Sequence, residues 1–204
     1  MKGFVTLEGC EGVGKSTQIR FLKEYLKNTS QEAVFTREPG GTVVAEKIRD
    51  IILNEKMDAI CEAHLFAAAR AEHINSVIIP SIKKNKLVIC DRYIDSSFAY
   101  QGFARELGLE KVIEINDYAV KNCMPECTIF LDMNPLNSWR KQKGKVVNDR
   151  MEGESGSFHL KVYEGFMQLC KKYPQRFVKI IPHKDKLITF ERIKSALQDR
   201  GVIK

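Results

Sequence analysis

The sequence of 204 residues lacks long apolar runs. No run approaches the ~20 residues that a membrane-spanning helix needs. A secretory pattern is also missing, because the charged residues Glu8, Glu11 and Lys15 follow a short apolar start. From these two absences we expect a cytoplasmic protein that does not bind a membrane.

Closely spaced cysteines are scarce as well. The chain has six cysteines, but only Cys123 and Cys127 lie near each other, with no second pair and no histidine nearby. Structural zinc sites need closer pairs or added histidines. The spacing therefore argues against a zinc site and favours reduced thiols.

A long basic tail is also absent, although the formal net charge is +7. The positive residues are spread along the chain, so no basic stripe marks a nucleic-acid surface. Small anionic substrates attract the same excess of positive charge. We therefore expect anionic small molecules rather than nucleic acid as the partners.

What the sequence does contain is a phosphate-loop pattern, G-x-x-x-x-G-K-[ST]. Glycines let the backbone aim several N–H groups at a phosphate, Lys15 can reach the outer phosphates, and the Ser16 hydroxyl can bind Mg²⁺. An apolar strand-like run precedes the loop and an amphipathic helical pattern follows it. The residues predicted to bind nucleotide phosphates are Gly9, Cys10, Glu11, Gly12, Val13, Gly14, Lys15, Ser16 and Thr17.

Short apolar runs alternate with helical patterns along the whole chain. The predicted strands are 4–7, 33–35, 87–90, 128–131 and 177–181. Such alternation predicts an α/β fold with a five-stranded parallel sheet and helices on both faces. We expect one domain over residues 1–204.

Charged residues follow two of these strands. Arg37 comes just after the second strand, and Asp91 and Arg92 come after the third. Ligands of parallel α/β sheets bind at this edge, and a strand-ending Asp in P-loop enzymes commonly serves Mg²⁺. The alternative is a solvated arginine at position 37, a helix cap at Asp91 and an ion pair at Arg92.

Two later segments have the composition of a ligand site. Phe66 and Arg70 share a helix face, so they could hold a flat base and bind its edge, or they could be a core residue and a salt bridge. Residues 93–102 are rich in hydroxyls and aromatic rings, which suits a site for a ring with polar edges and, nearly as well, an ordinary half-buried helix.

The polar segment 141–156 predicts a mobile lid, in which Arg150 could stabilise transition-state charge. The alternative is a solvated loop.

The guanine-reading motif N-K-x-D is missing, which argues against a GTPase. A small P-loop domain with arginines in several loops suits a kinase that holds two anionic substrates. Lys15, Arg37, Arg92 and Arg150, together with Mg²⁺, could offset the repulsion between two phosphorylated molecules.

The motifs together resemble the thymidylate kinase family over about residues 3–181. The segments that carry the resemblance are 9–17 (GCEGVGKST), 36–42 (TREPGGT), 65–70 (LFAAAR), 91–93 (DRY) with 97–102, 149–152 (DRME) and 158–159 (FH). The resemblance implies the nucleoside-monophosphate-kinase form of the P-loop fold and a homodimer. It also implies transfer of the ATP γ-phosphoryl group to dTMP with Mg²⁺, a step in dTTP synthesis for DNA replication.

The resemblance further implies roles for single residues. Glu11 would contact the 3′-hydroxyl of the acceptor sugar, and Arg37 and Arg92 would hold its phosphate. The residues implied around the base and sugar are Phe66, which stacks on thymine, Arg70, which reads its edge, Ser97 and Gln101, which flank it, and Tyr100 near the sugar.

Some members of the family carry an arginine after the acidic residue of the phosphate loop. This chain has Gly12 there, so the resemblance implies that the catalytic cation comes from the lid, as in the bacterial type. Arg150 is the leading candidate, followed by Lys141 and Lys143.

Two other functions stay open. A deoxynucleoside kinase has a similar loop and Asp/Glu-Arg motif, but would have less use for Arg37 as a clamp on an acceptor phosphate. A P-loop ATPase that depends on nucleic acid is permitted by the positive charge, but the missing basic stripe argues against it.

Overall fold

The computed structural model describes residues 1–136 and 149–204. Five strands form one parallel sheet in the order β2-β3-β1-β4-β5. The strands are β1 (Phe4–Glu8), β2 (Ala33–Arg37), β3 (Leu87–Asp91), β4 (Cys127–Leu131) and β5 (Phe177–Ile180). The predicted five-stranded parallel sheet is therefore confirmed.

Helices connect the strands, as the alternating pattern predicts. They are α1 (Lys15–Lys27), α2 (Val43–Asn54), α3 (Ala59–His73), α4 (Ile79–Lys83), α5 (Ile94–Ser97), α6 (Leu109–Val120), α7 (Gly156–Lys172) and α8 (Lys186–Asp199). Two π-helical segments, Ile74–Ile78 and Phe98–Ala104, continue α3 and α5. In the described parts of the chain, no helix combines the length and the apolar character that crossing a membrane requires.

The strand order places helices on both faces of the sheet. The connection from β1 to β2 runs in one direction along the sheet, and the later connections run in the other. Because such crossovers are right-handed, α1 lies on one face and α2 to α7 lie on the other. Helix α8 packs beside α1, where the rings of Phe21 and Phe190 lie 5.8 Å apart. The connections that leave the neighbouring strands β1 and β3 run in opposite directions along the sheet. A ligand crevice is therefore expected at the carboxyl ends of these two strands.

Three strands extend further than the apolar runs predict. Glu8, Arg37 and Asp91 are the last residues of β1, β2 and β3 rather than the first residues of the following loops. The reason is pairing between parallel neighbours, since Arg37 and Leu7 both lie opposite Asp91. Hydrogen bonding within the sheet thus fixes the positions of the charged residues at its edge.

Pro80 does not end the helix that precedes it. The chain stays helical to Lys83, with the π-helical turn Ile74–Ile78 immediately before the proline and Pro80 in the first turn of α4. Pro80 lacks the N–H that would bond to the preceding turn, and the π-helical turn before it pairs the Ile79 N–H with the carbonyl oxygen of Ile74. A local widening of the helix, rather than a kink or an end, thus accommodates Pro80.

Candidate active site

The phosphate loop joins β1 to α1 and depends on its glycines. Gly9, Gly12 and Gly14 have φ values of 148°, 72° and 101°, which L side chains rarely adopt. A Cβ atom on Gly9 would also lie 3.0 Å from the carbonyl oxygen of Leu131. The loop therefore opens at the N-terminus of α1, where backbone N–H groups and the helix dipole attract phosphate.

Lys15 and Ser16 occupy the first turn of α1. The ammonium of Lys15 is buried and donates hydrogen bonds to the carbonyl oxygens of Gly9 (3.1 Å) and Cys10 (3.2 Å). Burial, with the nearby charge of Arg92, lowers the pKa of Lys15. Ser16 is exposed and lines the cavity beside the loop.

Arg92 ties the phosphate loop to the opposite wall of the cavity. It has a φ of 66° and directly follows β3. Its guanidinium donates to the carbonyl oxygen of Gly9 (3.0 Å), to Ser96 Oγ (3.1 Å) and to Glu11 Oε1 (2.5 Å). It also lies over the ring of Tyr100, 5.2 Å from the centroid.

The carboxylate of Glu11 is held ionised by this arrangement. Burial alone would raise its pKa, but the charges of Arg92 and Lys15 outweigh burial and lower the pKa of Glu11 to about 2. The Tyr100 hydroxyl donates a further hydrogen bond of 3.1 Å. Glu11 is therefore a hydrogen-bond acceptor at neutral pH.

Arg70 lies at the other end of the cavity, among buried polar groups. Its Nε donates to Glu38 Oε2 (2.8 Å), and its two terminal nitrogens donate to Asn116 Oδ1 (2.5 Å) and Ser97 Oγ (3.0 Å). A guanidinium carries five N–H donors, so donors remain for a ligand. Phe66, one turn earlier on α3, is half-buried and lines the same cavity.

Two arginines mark the side of the cavity formed by β2 and α2. Arg37 is exposed and donates two hydrogen bonds to the carboxylate of Glu46, at 3.0 and 2.8 Å. Arg49 lines the cavity and donates to the carbonyl oxygen of Pro39 at 2.9 Å. The sequence interpretation did not identify Arg49. The helical spacing could have indicated that it faces inward, because Arg49 shares a helix face with the buried residues Ala45 and Ile52.

Asp91 is suited to a cation. Its Oδ1 atom is buried and has no hydrogen-bond partner within the described ranges. Asp91 and Ser16 line the same cavity, so a carboxylate and a hydroxyl face one region next to the phosphate loop. Such oxygens are what Mg²⁺ prefers, usually with water completing the coordination. Residues 1–136 and 149–204 contain no cluster of three or more His, Cys, Asp or Glu side chains that could hold a metal alone.

The structure thus brings most of the predicted residues to one cavity of about 210 Å³. The predicted residues that line it are Glu11, Lys15, Ser16, Arg37, Phe66, Arg70, Asp91, Arg92, Ser97, Tyr100 and Gln101. The phosphate loop, the arginines and the aromatic pocket therefore open on a common space.

Arg150 is not among the lining residues. Its guanidinium lies 2.7 Å from Glu62 Oε2 and donates two hydrogen bonds to the carbonyl oxygen of Ile52, at 3.1 and 2.9 Å. Its backbone N–H donates to the carbonyl oxygen of Leu53 (3.0 Å), so Arg150 caps the end of α2. In this arrangement Arg150 binds Glu62 and the end of α2, and its predicted catalytic role stays a prediction. Its alternatives Lys141 and Lys143 lie outside the described residues.

The sequence interpretation also missed Glu8. This carboxyl is fully buried beneath the phosphate loop and accepts hydrogen bonds from the N–H of Tyr93 (2.8 Å) and from Ser96 Oγ (2.6 Å). Burial, followed by the negative charge of Asp95, raises the pKa of Glu8 from 4.5 to about 8, although Arg92 opposes the shift. Ser96 thus links a carboxyl that is largely protonated at neutral pH to Arg92.

The raised pKa of Glu8 predicts a loss of stability with rising pH. Between pH 4.5 and about 8 the folded chain binds a proton that the unfolded chain releases, so stability falls as pH rises through this interval. Between about pH 6 and 8, the melting temperature of the wild type should fall by roughly 5 °C more than that of Glu8→Gln. Equal slopes of melting temperature against pH in the two proteins would contradict this prediction.

The fold and the phosphate loop define a P-loop protein of the NTPase type. A sequence model of the family described as Thymidylate kinase matches residues 7–193. The chain therefore belongs to the thymidylate kinase family. This membership confirms the prediction of an enzyme that phosphorylates dTMP.

Individual relatives agree with this assignment. The Thymidylate kinase of Clostridium novyi (strain NT) is 44% identical over 201 residues, which cover 96% of this chain and 98% of that protein. The Thymidylate kinase of Lactobacillus acidophilus is 48% identical over 188 residues, which cover 88% of this chain and 87% of that protein. The crystal structure of thymidylate kinase from Ehrlichia chaffeensis has a TM-score of 0.77 and 33% identity, and the match covers 96% of this chain and 97% of that one.

Proposed function

We propose that this chain transfers the γ-phosphoryl group of ATP to dTMP with the residues that line the shared cavity. The observation that carries the proposal is that the phosphate loop, a set of arginines and an aromatic base pocket open on one space. A phosphoryl transfer between two nucleotides needs these three parts side by side.

The phosphate loop is the ATP side of this site. Its backbone N–H groups and Lys15 would hold the β- and γ-phosphates, and Ser16 and Asp91 would hold Mg²⁺. The partnerless Oδ1 atom of Asp91 supports this metal assignment. When bound, Mg²⁺ neutralises the charge that develops on the transferred phosphoryl group.

The acceptor phosphate lies between the loop and β2. Arg92 and Arg37 hold it, with Arg49 added from the structure, and Arg37 exchanges its ion pair with Glu46 for the phosphate. The ionised Glu11 accepts a hydrogen bond from the 3′-hydroxyl of the sugar. Arg92 binds the phosphate loop at Gly9 and Glu11 and also holds the acceptor phosphate, so it sets the distance between donor and acceptor.

The base lies at the far end of the cavity. Phe66 stacks on thymine, and Arg70 donates hydrogen bonds to its edge. Tyr100 lies close to the sugar because its hydroxyl reaches Glu11. Ser97 and Gln101 complete the wall around the ring.

The lid assignment is also a proposal. We place a mobile lid at 141–156 of a single kinase domain, of which 149–156 is described. The observed contacts of Arg150 with Glu62 and Ile52 hold the end of this segment on α2 and α3. A direct catalytic role for Arg150 stays a prediction, since it would require these contacts to break.

A homodimer is the proposed assembly, and the cytoplasm is the proposed location. Helices α2 and α6 expose apolar side chains, among them Val44, Ile51 and Tyr118. Exposed apolar surfaces of this kind commonly mark interfaces. Light scattering during size exclusion would give twice the chain mass of 23.3 kDa if the proposal holds.

The reaction is tested by ADP release from ATP and Mg²⁺ with separate acceptors. Strong turnover with dTMP and none without Mg²⁺ is the expected result. Turnover with thymidine but not dTMP would instead indicate a deoxynucleoside kinase. Turnover stimulated by DNA alone would indicate a nucleic-acid-dependent ATPase.

The stacking role predicts the effect of Phe66→Ala. Stacking of a base on an aromatic ring contributes ~1–3 kcal/mol, so the KM for dTMP should rise at least about tenfold while kcat changes little. Phe66→Leu is the matched control, since it keeps apolar bulk without an aromatic face. An unchanged KM for dTMP in Phe66→Ala would rule out the stacking role.

A further inference from the structure

A buried carboxylate, Glu62 on α3, lies behind the base pocket. It is only 1% exposed and stands one turn before Phe66 on the same helix. Its Oε1 atom accepts hydrogen bonds from Gln101 Nε2 (2.9 Å) and from Arg105 Nε (3.2 Å), and its Oε2 atom pairs with Arg105 (3.2 Å) and Arg150 (2.7 Å). Glu62 therefore receives one amide and two guanidinium groups.

These partners hold Glu62 ionised. Burial alone would raise its pKa, but the hydrogen bonds from Arg105 and Gln101 outweigh burial, so the pKa of Glu62 is lowered. An ionised carboxylate can only accept hydrogen bonds. The group of Gln101 that faces Glu62 must therefore be its NH₂ and not its carbonyl oxygen.

The fixed NH₂ determines what Gln101 offers to a ligand. A carboxamide is planar, with its oxygen and nitrogen on opposite sides of the same carbon, so the oxygen is turned away from Glu62. Gln101 lines the base cavity together with Phe66 and Arg70. The pocket thus presents a carbonyl acceptor from Gln101 and guanidinium donors from Arg70.

This pair of groups matches one class of pyrimidine. Thymine and uracil carry an N3–H donor beside an O4 acceptor, whereas cytosine carries an N3 acceptor beside an N4 amino donor. A carbonyl oxygen aimed at N3 attracts the first class and repels the second. A site built for a hydrogen bond rejects an analogue that leaves its buried groups unpaired.

We propose that Glu62 is a specificity-determining positioning residue, which locks the Gln101 amide with its oxygen toward the base and so selects thymine and uracil over cytosine. The inference rests on the proposed function, because it requires the base to bind beside Gln101. Glu62 does not touch the nucleotide. It acts through the orientation of one amide, which would otherwise rotate to satisfy either base.

The test compares dUMP with dCMP, which differ only at the atoms in question. Wild-type kcat/KM should favour dUMP strongly. In Glu62→Gln the carboxylate that forces the orientation of Gln101 is gone. The ratio of kcat/KM for dUMP to kcat/KM for dCMP should therefore fall at least about tenfold, which corresponds to the free energy of one hydrogen bond to a charged group. Glu62→Asp keeps the negative charge for both arginines but withdraws the oxygen from Gln101, and its ratio should fall similarly.

Arg105→Lys is the matched control. It keeps a cation beside the same carboxylate and leaves the bond between Glu62 and Gln101 in place, so the ratio of kcat/KM for dUMP to that for dCMP should change little. Dissociation constants of the two nucleotides, measured without ATP, provide a second readout that does not depend on turnover. An unchanged ratio in a folded Glu62→Gln or Glu62→Asp protein would overturn the inference. A wild type that accepts neither dTMP nor dUMP would instead overturn the proposed function.

Discussion

Replacement of Arg92 by methionine should lower kcat about 10³-fold. Arg92 binds Gly9 and Glu11 of the phosphate loop and Ser96 on the other side of the cavity, so its loss removes a charge from the acceptor phosphate and frees the loop from that wall. Removal of one preorganised donor typically costs ~10²–10³ in rate, and a catalytic arginine in phosphoryl transfer up to ~10⁵. Steady-state kinetics with ATP and dTMP, with melting temperatures recorded alongside, would measure this effect.

Arg92→Lys separates charge from geometry. Lysine keeps the positive charge but cannot bind Gly9, Ser96 and Glu11 at once, so its kcat should lie between those of wild type and Arg92→Met. A folded Arg92→Met protein with kcat within about tenfold of wild type would remove Arg92 from the catalytic site. Equal rates for the two variants would show that only the three-way geometry matters.

The sequence predicted the sheet and most of the cavity because both depend on local signals. Apolar runs located all five strands, and the glycine spacing located the loop that Gly9 and Gly14 require. Residues at the ends of parallel strands meet at one edge whatever the details of packing. For this reason Asp91 and Arg92 could be placed beside Lys15 without a structure.

Residues whose role depends on a distant partner could not be found this way. Glu8 looks like an ordinary strand-ending carboxylate until Ser96 and Asp95, more than eighty residues later, enclose it. Glu62 is an unremarkable helical glutamate until Gln101 and Arg150 reach it from other elements. The contact of Arg150 with Glu62 could not be predicted for the same reason, since the two residues are far apart in sequence.

The largest loss of stability should follow from Arg70→Met. Arg70 and Glu38 are 1% and 4% exposed and pair at 2.8 Å, so the substitution leaves a buried carboxylate with His73 as its remaining side-chain partner. Breaking a buried pair costs about 3–5 kcal/mol, or about 10 °C in melting temperature for a chain of this size. The donors for the base edge are lost as well, so the KM for dTMP should rise.

A double variant separates the two effects of Arg70. In Arg70→Met with Glu38→Gln, no uncompensated charge is buried, so most of the lost melting temperature should return. The KM for dTMP should stay high, because methionine offers no donor to the base. Recovery of both properties would mean that Arg70 supports the pocket without reading the base. A single variant that melts like the wild type would show that Glu38 is satisfied without its arginine, by His73 or by water.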